Sequence, residues 1–204
     1  MSAGFPAGQA GRREAEAGPV RRLRRAERRE QILDAATRAF ARSGFTATSL
    51  DDVAAEAGIT RMILYRHFDS KAGMYRAVLD RACTRLAETV GTGEYGDDAV
   101  AVLVRAAAAD PDAFRLLFRH AAREPEFRDQ SDALTAASAE VARRDLARQI
   151  PPGPWLDWAA RLVPAVAIEA VIAWLDAGQP EPRQAAARIG QVIQGAIQAA
   201  KPME

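Results

Sequence analysis

Apolar residues recur at spacings of three and four along most of the chain, which is the pattern of amphipathic helices. The first predicted helix spans Arg25 to Gly44, and its apolar stripe contains Ile32, Leu33, Ala36, Ala39 and Phe40. Gly44 ends this helix, because glycine adopts the left-handed conformation that stops helices. Beyond Asp97 no segment shows the alternation of Val and Ile that is typical of strands. The pattern therefore predicts an all-α protein.

Two short helices separated by a glycine form the next pattern. Ser49, with Asp52 three residues later, predicts a capping box that starts a helix of about two turns. Gly58 ends this helix, and Thr60 can cap a third helix that runs to Phe68. Small and apolar residues stand where two steeply crossing helices would touch: Val53, Ala54, Ile59 and Leu64. The arrangement predicts a helix-turn-helix, although a purely structural junction has the same features.

The rest of the chain is predicted to form a fourth helix at about residues 70–89 and a bundle of further helices. The bundle helices are placed at about 98–109, 112–123, 125–149, 155–177 and 182–200. Pro164 falls inside one of them and predicts a kink. The chain is thus expected to have about nine helices. They divide into an N-terminal three-helix helix-turn-helix domain at 26–75 and a helical-bundle effector and dimerisation domain at 76–204, with helix four as the link.

Composition narrows the possible classes of protein. The 204 residues are 49% hydrophobic and 27% charged, which is typical of a globular protein with a real core. Cys83 is the only cysteine, so an intramolecular disulfide and a cysteine-based zinc cluster are excluded. We expect no window of the sequence to approach the roughly 20 apolar residues that are needed to cross a bilayer. We therefore expect a cytoplasmic protein with no membrane partner, no metal and no cofactor.

Charge is distributed unevenly along the chain. Residues 1–85 carry a net charge of +6 and the remainder carries −5. A basic first part is attracted to a polyanion such as DNA. Residues 1–25 are predicted to be a disordered basic arm, whose arginines are continued into the first helix: Arg21, Arg22, Arg24, Arg25, Arg28 and Arg29. The arm either follows a neighbouring DNA groove or remains a solvated extension, and its composition favours the second.

The segment from Phe40 to Leu79 resembles the N-terminal signature of the TetR/AcrR family of transcription regulators. Its shared elements are the Gly-aromatic pair, Thr-Ser, Ala-Gly-Ile, Leu-Tyr-x-His-Phe and Ser-Lys, in that order. The resemblance implies a regulator, usually a repressor, that binds a palindromic operator as a homodimer and is released by a small molecule. The pair Met62-Ile63 departs from the family pattern, and so leaves the operator sequence open.

The resemblance also implies which residues meet DNA. Thr48 and Ser49 match phosphate contacts at the start of helix two, and Tyr65 and Lys71 match further contacts to the backbone. Arg61 is the strongest candidate base reader, because a guanidinium pairs bidentately with guanine. The full predicted set is Thr48, Ser49, Thr60, Arg61, Met62, Tyr65, Arg66, His67 and Lys71. Arg66 is equally a phosphate clamp, and His67 is alternatively a packing residue.

Bulky apolar residues in the second half predict a ligand cavity, in which a largely apolar ligand would find a few polar anchors. The predicted ligand residues are Phe114, Phe118, Arg119, His120, Phe127, Trp155, Trp158, Leu162 and Glu169. Core packing is the alternative for each aromatic residue. The last two helices predict a dimer interface that contains Val171, Trp174, Ile189, Val192, Ile193, Ala196 and Ile197.

Other functional classes have little support in the sequence. The chain has no Gly-rich phosphate loop, no G-x-S-x-G and no H-E-x-x-H, and its two histidines leave few general bases for an enzyme. An activator or a ligand-independent DNA-binding protein of the same fold remains the alternative.

Overall fold

The computed structural model describes residues 25–91 and 98–202, and these ranges are helical without a strand. Their α-helices are α1 Arg25–Ala47, α2 Leu50–Ala57, α3 Arg61–Tyr65, α4 Lys71–Val90, α5 Ala99–Ala109, α6 Pro111–Arg115, α7 Arg128–Leu146, α8 Pro154–Asp176 and α9 Pro182–Ala199. A π-helical turn, Leu116–His120, and two 3₁₀ turns, Ala121–Arg123 and Pro125–Phe127, connect α6 to α7. The all-α prediction is confirmed. The predicted arm lies outside the described residues, except for Arg25, which begins α1.

Local sequence signals set the ends of the first helices. Gly44 has φ 75° and interrupts α1 shortly before its end, and Gly58 caps α2 in the left-handed conformation with φ 63°. Ser70 Oγ accepts a hydrogen bond from the Gly73 N–H at 2.9 Å and caps α4. These predicted ends are confirmed. Thr60 is the N-cap residue of α3, but its side chain makes no capping hydrogen bond.

Buried side chains form two clusters. The first cluster joins α1–α4 to later residues such as Leu116 and Phe127. The second cluster lies among α5–α9 and contains the fully buried Ile172. Leu86 and Phe118 pack partly buried against both clusters. The helix-turn-helix is therefore built on side chains from the second half of the chain, and the two cores meet at α4 and the π-helical turn.

Within the described residues, α8 is the one helix that is long and apolar enough to span a membrane by length and composition. This finding corrects the expectation that no segment approaches that limit. The same length and composition occur in core helices, and one side of α8 buries Val171 and Leu175 in the second cluster. The helix continues on both sides of Pro164, so the predicted kink does not divide it.

Candidate nucleic-acid interface

The helix-turn-helix consists of α2, the turn 58–60 and α3. Ser49 Oγ accepts a hydrogen bond from the Asp52 N–H at 3.1 Å, and Asp52 Oδ2 accepts one from the Ser49 N–H at 2.8 Å. The predicted capping box is confirmed. The Ser49 hydroxyl also donates to Asp52 at 2.7 Å, and these hydrogen bonds from Ser49 hold the pKa of Asp52 below its usual value. The start of α2 is therefore fixed by side chains of its own first turn.

The short helix α3 has a buried side and an exposed side. Leu64 is fully buried and Phe68 is 5% exposed, so both are core residues, as predicted. Met62 is 69% exposed and Tyr65 is 45% exposed. We define the exposed α3 surface as Thr60, Arg61, Met62, Tyr65 and Arg66. A surface of this kind has aromatic, apolar and basic side chains available to a partner.

Arg61 is held by two neighbours on this surface. Its Nη1 donates to Asp51 Oδ2 at 3.1 Å, and its Nη2 donates to the Tyr65 hydroxyl at 3.1 Å. The hydrogen bond to Tyr65, followed by the charge of Asp51, raises the pKa of Arg61. The side chains of Arg61 and Asp51 are 52% and 67% exposed, so their ion pair is weak. Arg61 can therefore exchange Asp51 for a stronger acceptor.

Thr48 does not present its hydroxyl to a ligand, which corrects the predicted phosphate contact by this group. The residue is 2% exposed. Its Oγ1 donates to the Gly44 carbonyl at 2.7 Å and lies 3.2 Å from the Ala39 carbonyl oxygen. The Thr48 hydroxyl therefore holds the chain reversal between α1 and α2.

Lys71 is also turned toward the protein. Its Nζ donates to the carbonyl oxygens of Phe45 at 2.8 Å and Thr48 at 3.0 Å, and the Thr46 carbonyl lies 3.4 Å away. The ammonium lies 4.4 Å from the centroid of the Phe45 ring. An ammonium has three donors, and all three are directed at this turn. In this structure Lys71 therefore fastens the start of α4 to the α1–α2 turn, and its phosphate contact stays a prediction.

Lys71→Ala should lower the free energy of unfolding by about 1–3 kcal/mol, because partly buried carbonyl groups lose a charged donor. Urea unfolding followed by circular dichroism measures this change. Lys201→Ala removes the only other lysine of the chain and serves as the control. If the two variants unfold at the same urea concentration, the fastening role of Lys71 is wrong.

His67 lies where α3 meets the first turns of α1. Arg29 Nη1 donates to the His67 carbonyl at 3.3 Å, and the Arg29 guanidinium carbon lies 4.3 Å from the centroid of Phe68. Burial lowers the pKa of His67, and the charges of Arg25, Arg29 and Arg28 lower it further. The imidazole is half-buried, which supports the packing interpretation of this residue.

A cavity of about 290 Å³ lies between α4, α5 and α6. Its lining residues are Ala82, Arg85, Leu86, Glu88, Thr89, Ala106, Ala109, Asp110, Ala113, Phe114 and Leu117. Most of them are apolar, and Phe114 is the one predicted ligand residue among them. Arg85 pairs with Glu30 of α1 at 3.8 Å and with Asp110 at 3.7 Å, so the cavity borders both halves of the chain. Across the described ranges, no group of His, Cys, Asp and Glu is arranged to hold a metal ion.

Three aromatic residues from the predicted ligand set do not line this cavity, and the full burial of Phe127 corrects the assignment of that residue. Phe127 is fully buried in the first cluster, with its ring centroid 4.5 Å from Tyr75 and 4.9 Å from Phe45. Trp155 is 62% exposed and Trp158 is 40% exposed, and their rings pack edge-to-face on the surface of α8. Phe127 is therefore a core residue, and the tryptophans belong to an outer surface.

The other predicted ligand residues do not line the cavity either. Arg119 pairs with Asp176 at 2.7 Å, and the half-buried His120 lies near Gly44. Burial, followed by the charges of Arg123 and Arg119, lowers the pKa of His120. The remaining three are Phe118, between the two clusters, Leu162, which is half-buried, and Glu169, which is exposed.

Most of the predicted dimer residues are already buried within one chain. Those in the second cluster are Val171, Trp174, Ile189, Ile193 and Ile197. They pack between helices of the same chain, so their assignment to a dimer interface is corrected. Val192 is 55% exposed and Ala196 is half-buried, so these two side chains remain accessible to a second subunit.

The fold and the α2–α3 geometry define an all-α protein with an N-terminal helix-turn-helix. Residues 32–78 match the family described as bacterial regulatory proteins, tetR family. This match covers the helix-turn-helix segment of the chain, and the resemblance predicted from residues 40–79 is confirmed.

Comparisons with individual proteins divide between the N-terminal segment and the whole fold. The chain is 44% identical over 69 residues to the HTH-type transcriptional activator FasR of Mycolicibacterium smegmatis, which is 34% of this chain and 32% of that protein. A TetR-like transcriptional regulator from Rhodococcus sp. RHA1 has a TM-score of 0.75 at 22% identity, over 87% of this chain and 99% of that chain. A SmeT–triclosan complex has a TM-score of 0.59 at 24% identity, over 85% of this chain and 90% of that chain. Sequence similarity thus covers the helix-turn-helix, and structural similarity covers the fold.

Proposed function

We propose that this protein is a DNA-binding transcription regulator that acts as a homodimer and is released from a palindromic operator by a small, largely apolar ligand. The exposed α3 surface is the observation that carries the proposal. Arg61 can pair with a guanine, Met62 can contact a thymine methyl, and Tyr65 can pack on the sugar-phosphate backbone. The same surface is fixed from beneath by the buried Leu64. It is therefore a rigid support for side chains that suit a major groove.

Selection of bound sequences from random duplex DNA tests the proposal. A dimer of this fold should enrich a palindrome whose half-site centres are about 10 base pairs apart, or a multiple of that distance. Recovery of no preferred sequence would favour a DNA-coating protein of the same fold. Reporter expression in cells with and without the protein then separates repression from activation, the role named for the FasR relative.

Arg61→Ala should cost about 1–3 kcal/mol of operator binding and relax the preference at one base pair in each half-site. The reason is that the guanidinium exchanges its weak pair with Asp51 for a bidentate contact with a base. Binding to the selected operator and to single-base variants, measured at constant salt, gives both quantities. Arg144→Ala on the exposed side of α7 is the control. Equal losses on all sequences would assign Arg61 to phosphate instead.

The exposed side of α8 supports the homodimer. The helix has a mean hydropathy of 1.6 in its most apolar window, yet only 39% of that window is buried within the chain. Its outward stripe at helical spacing consists of Trp155, Trp158, Leu162, Val166 and Ala173, with Glu169 among them. An apolar stripe of this length, interrupted only by Glu169, is typical of an interface with a second copy. Val192 on the neighbouring α9 adds to this surface.

The cavity between α4, α5 and α6 is the proposed effector site. Its lining combines seven apolar residues with the polar Arg85, Glu88, Thr89 and Asp110, which suits a small ligand with a polar end. The similarity in fold to SmeT, whose structure contains triclosan, supports a site of this type. Leu86 and Arg85 on α4 line the cavity, while Lys71 at the other end of the helix holds the α1–α2 turn. Helix α4 thus connects the ligand site to the DNA-binding surface, and we place the protein in the cytoplasm with its operator.

Ala106→Leu should weaken binding of such ligands and leave operator affinity in their absence unchanged, because the added carbons occupy part of the cavity. Titration of a library of small apolar compounds against the operator complex measures this effect. Ala136→Leu, in the open groove between α7 and α8, is the matched control. Binding and release are coupled by the same factor in both directions, commonly about 1–3 kcal/mol. Compounds that bind tightly without changing operator affinity would contradict the effector role.

A further inference from the structure

The arginines of the first four helices fall into two groups. Six of them pair with a carboxylate of the described chain: Arg38, Arg42, Arg61, Arg76, Arg81 and Arg85. Within residues 25–91, the four without a carboxylate partner are Arg25, Arg28, Arg29 and Arg66. Most arginines of this region are therefore neutralised by carboxylates of the same chain, and the four arginines without such a partner are the exceptions.

The four exceptions lie together. Arg29 is attached to the α3–α4 junction through the His67 carbonyl and the Phe68 ring, next to Arg66 in the chain. Arg25 lies three residues before Arg28 and four before Arg29 on α1, so the three side chains project from the same side of its first turns. Arg28 donates to the neutral Gln31 at 2.7 Å. We name this group, with His67, the α1 basic patch.

Glu27 is the acidic residue of the same turn, and it supplies one negative charge against the four arginines. The remaining excess of positive charge is unfavourable for the free protein, and it is relieved when a polyanion binds. Glu30, the acidic residue in the next turn, pairs instead with Arg81 and Arg85 of α4. The patch adjoins the exposed α3 surface through Arg66. A duplex that receives α3 in its major groove would bring its flanking backbone to this side of the helix-turn-helix.

We propose that the α1 basic patch is a second DNA contact, in which Arg25 and Arg28 neutralise phosphates flanking the segment that α3 reads. This inference rests on the proposed DNA-binding function and adds residues outside the helix-turn-helix to it. Phosphate contacts carry no base information, so the patch contributes affinity and register but no sequence preference. Arg29 acts as a positioning residue, because its guanidinium fastens α1 to the end of α3.

The test is the salt dependence of binding to the selected operator by the full chain and its Arg25→Gln/Arg28→Gln variant. Each phosphate neutralised contributes about −0.9 to the slope of log affinity against log salt, so the variant should lose about 1.8 of this slope. Between 50 and 200 mM salt, the parent should then lose about twelvefold more affinity than the variant. The ranking of operator sequences should remain unchanged.

Arg105→Gln/Arg183→Gln is the matched control, because it removes two exposed arginines from α5 and α9. An unchanged slope in the patch variant, or an equal loss in the control, would overturn the inference. A second experiment uses a shorter duplex that contains only the segment read by α3. The parent and the patch variant should bind this shorter duplex with equal affinity. If the parent selects no sequence at all, the proposed function fails. If Arg61→Ala changes base preference but the patch variant has the same salt slope as the parent, only the proposed role of the α1 basic patch is wrong.

Discussion

Leu162→Asp is expected to convert the proposed homodimer into monomers and to reduce operator affinity by about 10²–10⁴-fold. Leu162 lies within the outward apolar stripe of α8, so the substitution places an unpaired charge in the proposed interface. A dimer binds its second half-site at the millimolar effective concentration set by the first, and a monomer loses this gain. Light scattering measures the oligomeric state, and operator titration measures the affinity.

Two further variants make the dimer test specific. Ala133→Asp introduces the same charge on an exposed position of α7 and should leave the dimer intact. Ile193→Asp should instead unfold the chain, because Ile193 is buried within the second cluster of the same chain. A Leu162→Asp protein that remains dimeric would show that α8 does not form the interface.

Phe127→Ala should lower the free energy of unfolding by about 3–5 kcal/mol. The ring is fully buried and contacts Tyr75 and Phe45, while the Arg76 guanidinium lies 5.0 Å from its centroid. Its removal leaves a cavity where the 3₁₀ turn before α7 meets the helix-turn-helix core. Thermal and urea unfolding give the change in stability.

Tyr75→Phe is the control within the same aromatic cluster. The Tyr75 hydroxyl is buried with no hydrogen-bond partner among the described residues, and burial raises its pKa. Loss of this hydroxyl removes a polar group that is costly to bury, so stability should be equal or higher. A large loss on Tyr75→Phe together with a small loss on Phe127→Ala would contradict this account of the junction.

Features that depend on a few neighbouring residues could be predicted from the sequence. Gly44 and Gly58 end their helices by adopting positive φ, and Ser49 and Ser70 cap helices through their own first turns. The exposed α3 surface could also be predicted, because a five-residue helix with one buried leucine leaves few alternatives. These interactions are local, and local spacing encodes them.

Features that depend on the packing of distant segments could not be predicted from the sequence. Lys71 contacts carbonyl groups more than twenty residues away in the chain, and nothing in the Ser-Lys motif indicates that distance. The stripe of Ile189, Ile193 and Ile197 was correctly expected to be apolar and buried, but periodicity does not distinguish a neighbour in the same chain from a second subunit. Phe127 was misassigned to a ligand site because the sequence does not show whether an aromatic residue lines a cavity or fills a core.

The contact of both cores with Leu86 and Phe118 has a consequence for cooperativity. Separate cores would melt independently, whereas cores that share side chains tend to unfold in one transition. The free energy gained when a ligand fills the cavity is then distributed over the whole chain, including the α2–α3 segment that the ligand never touches. A compound bound at the proposed effector site would therefore protect the helix-turn-helix from unfolding, although it would weaken the binding of the protein to DNA.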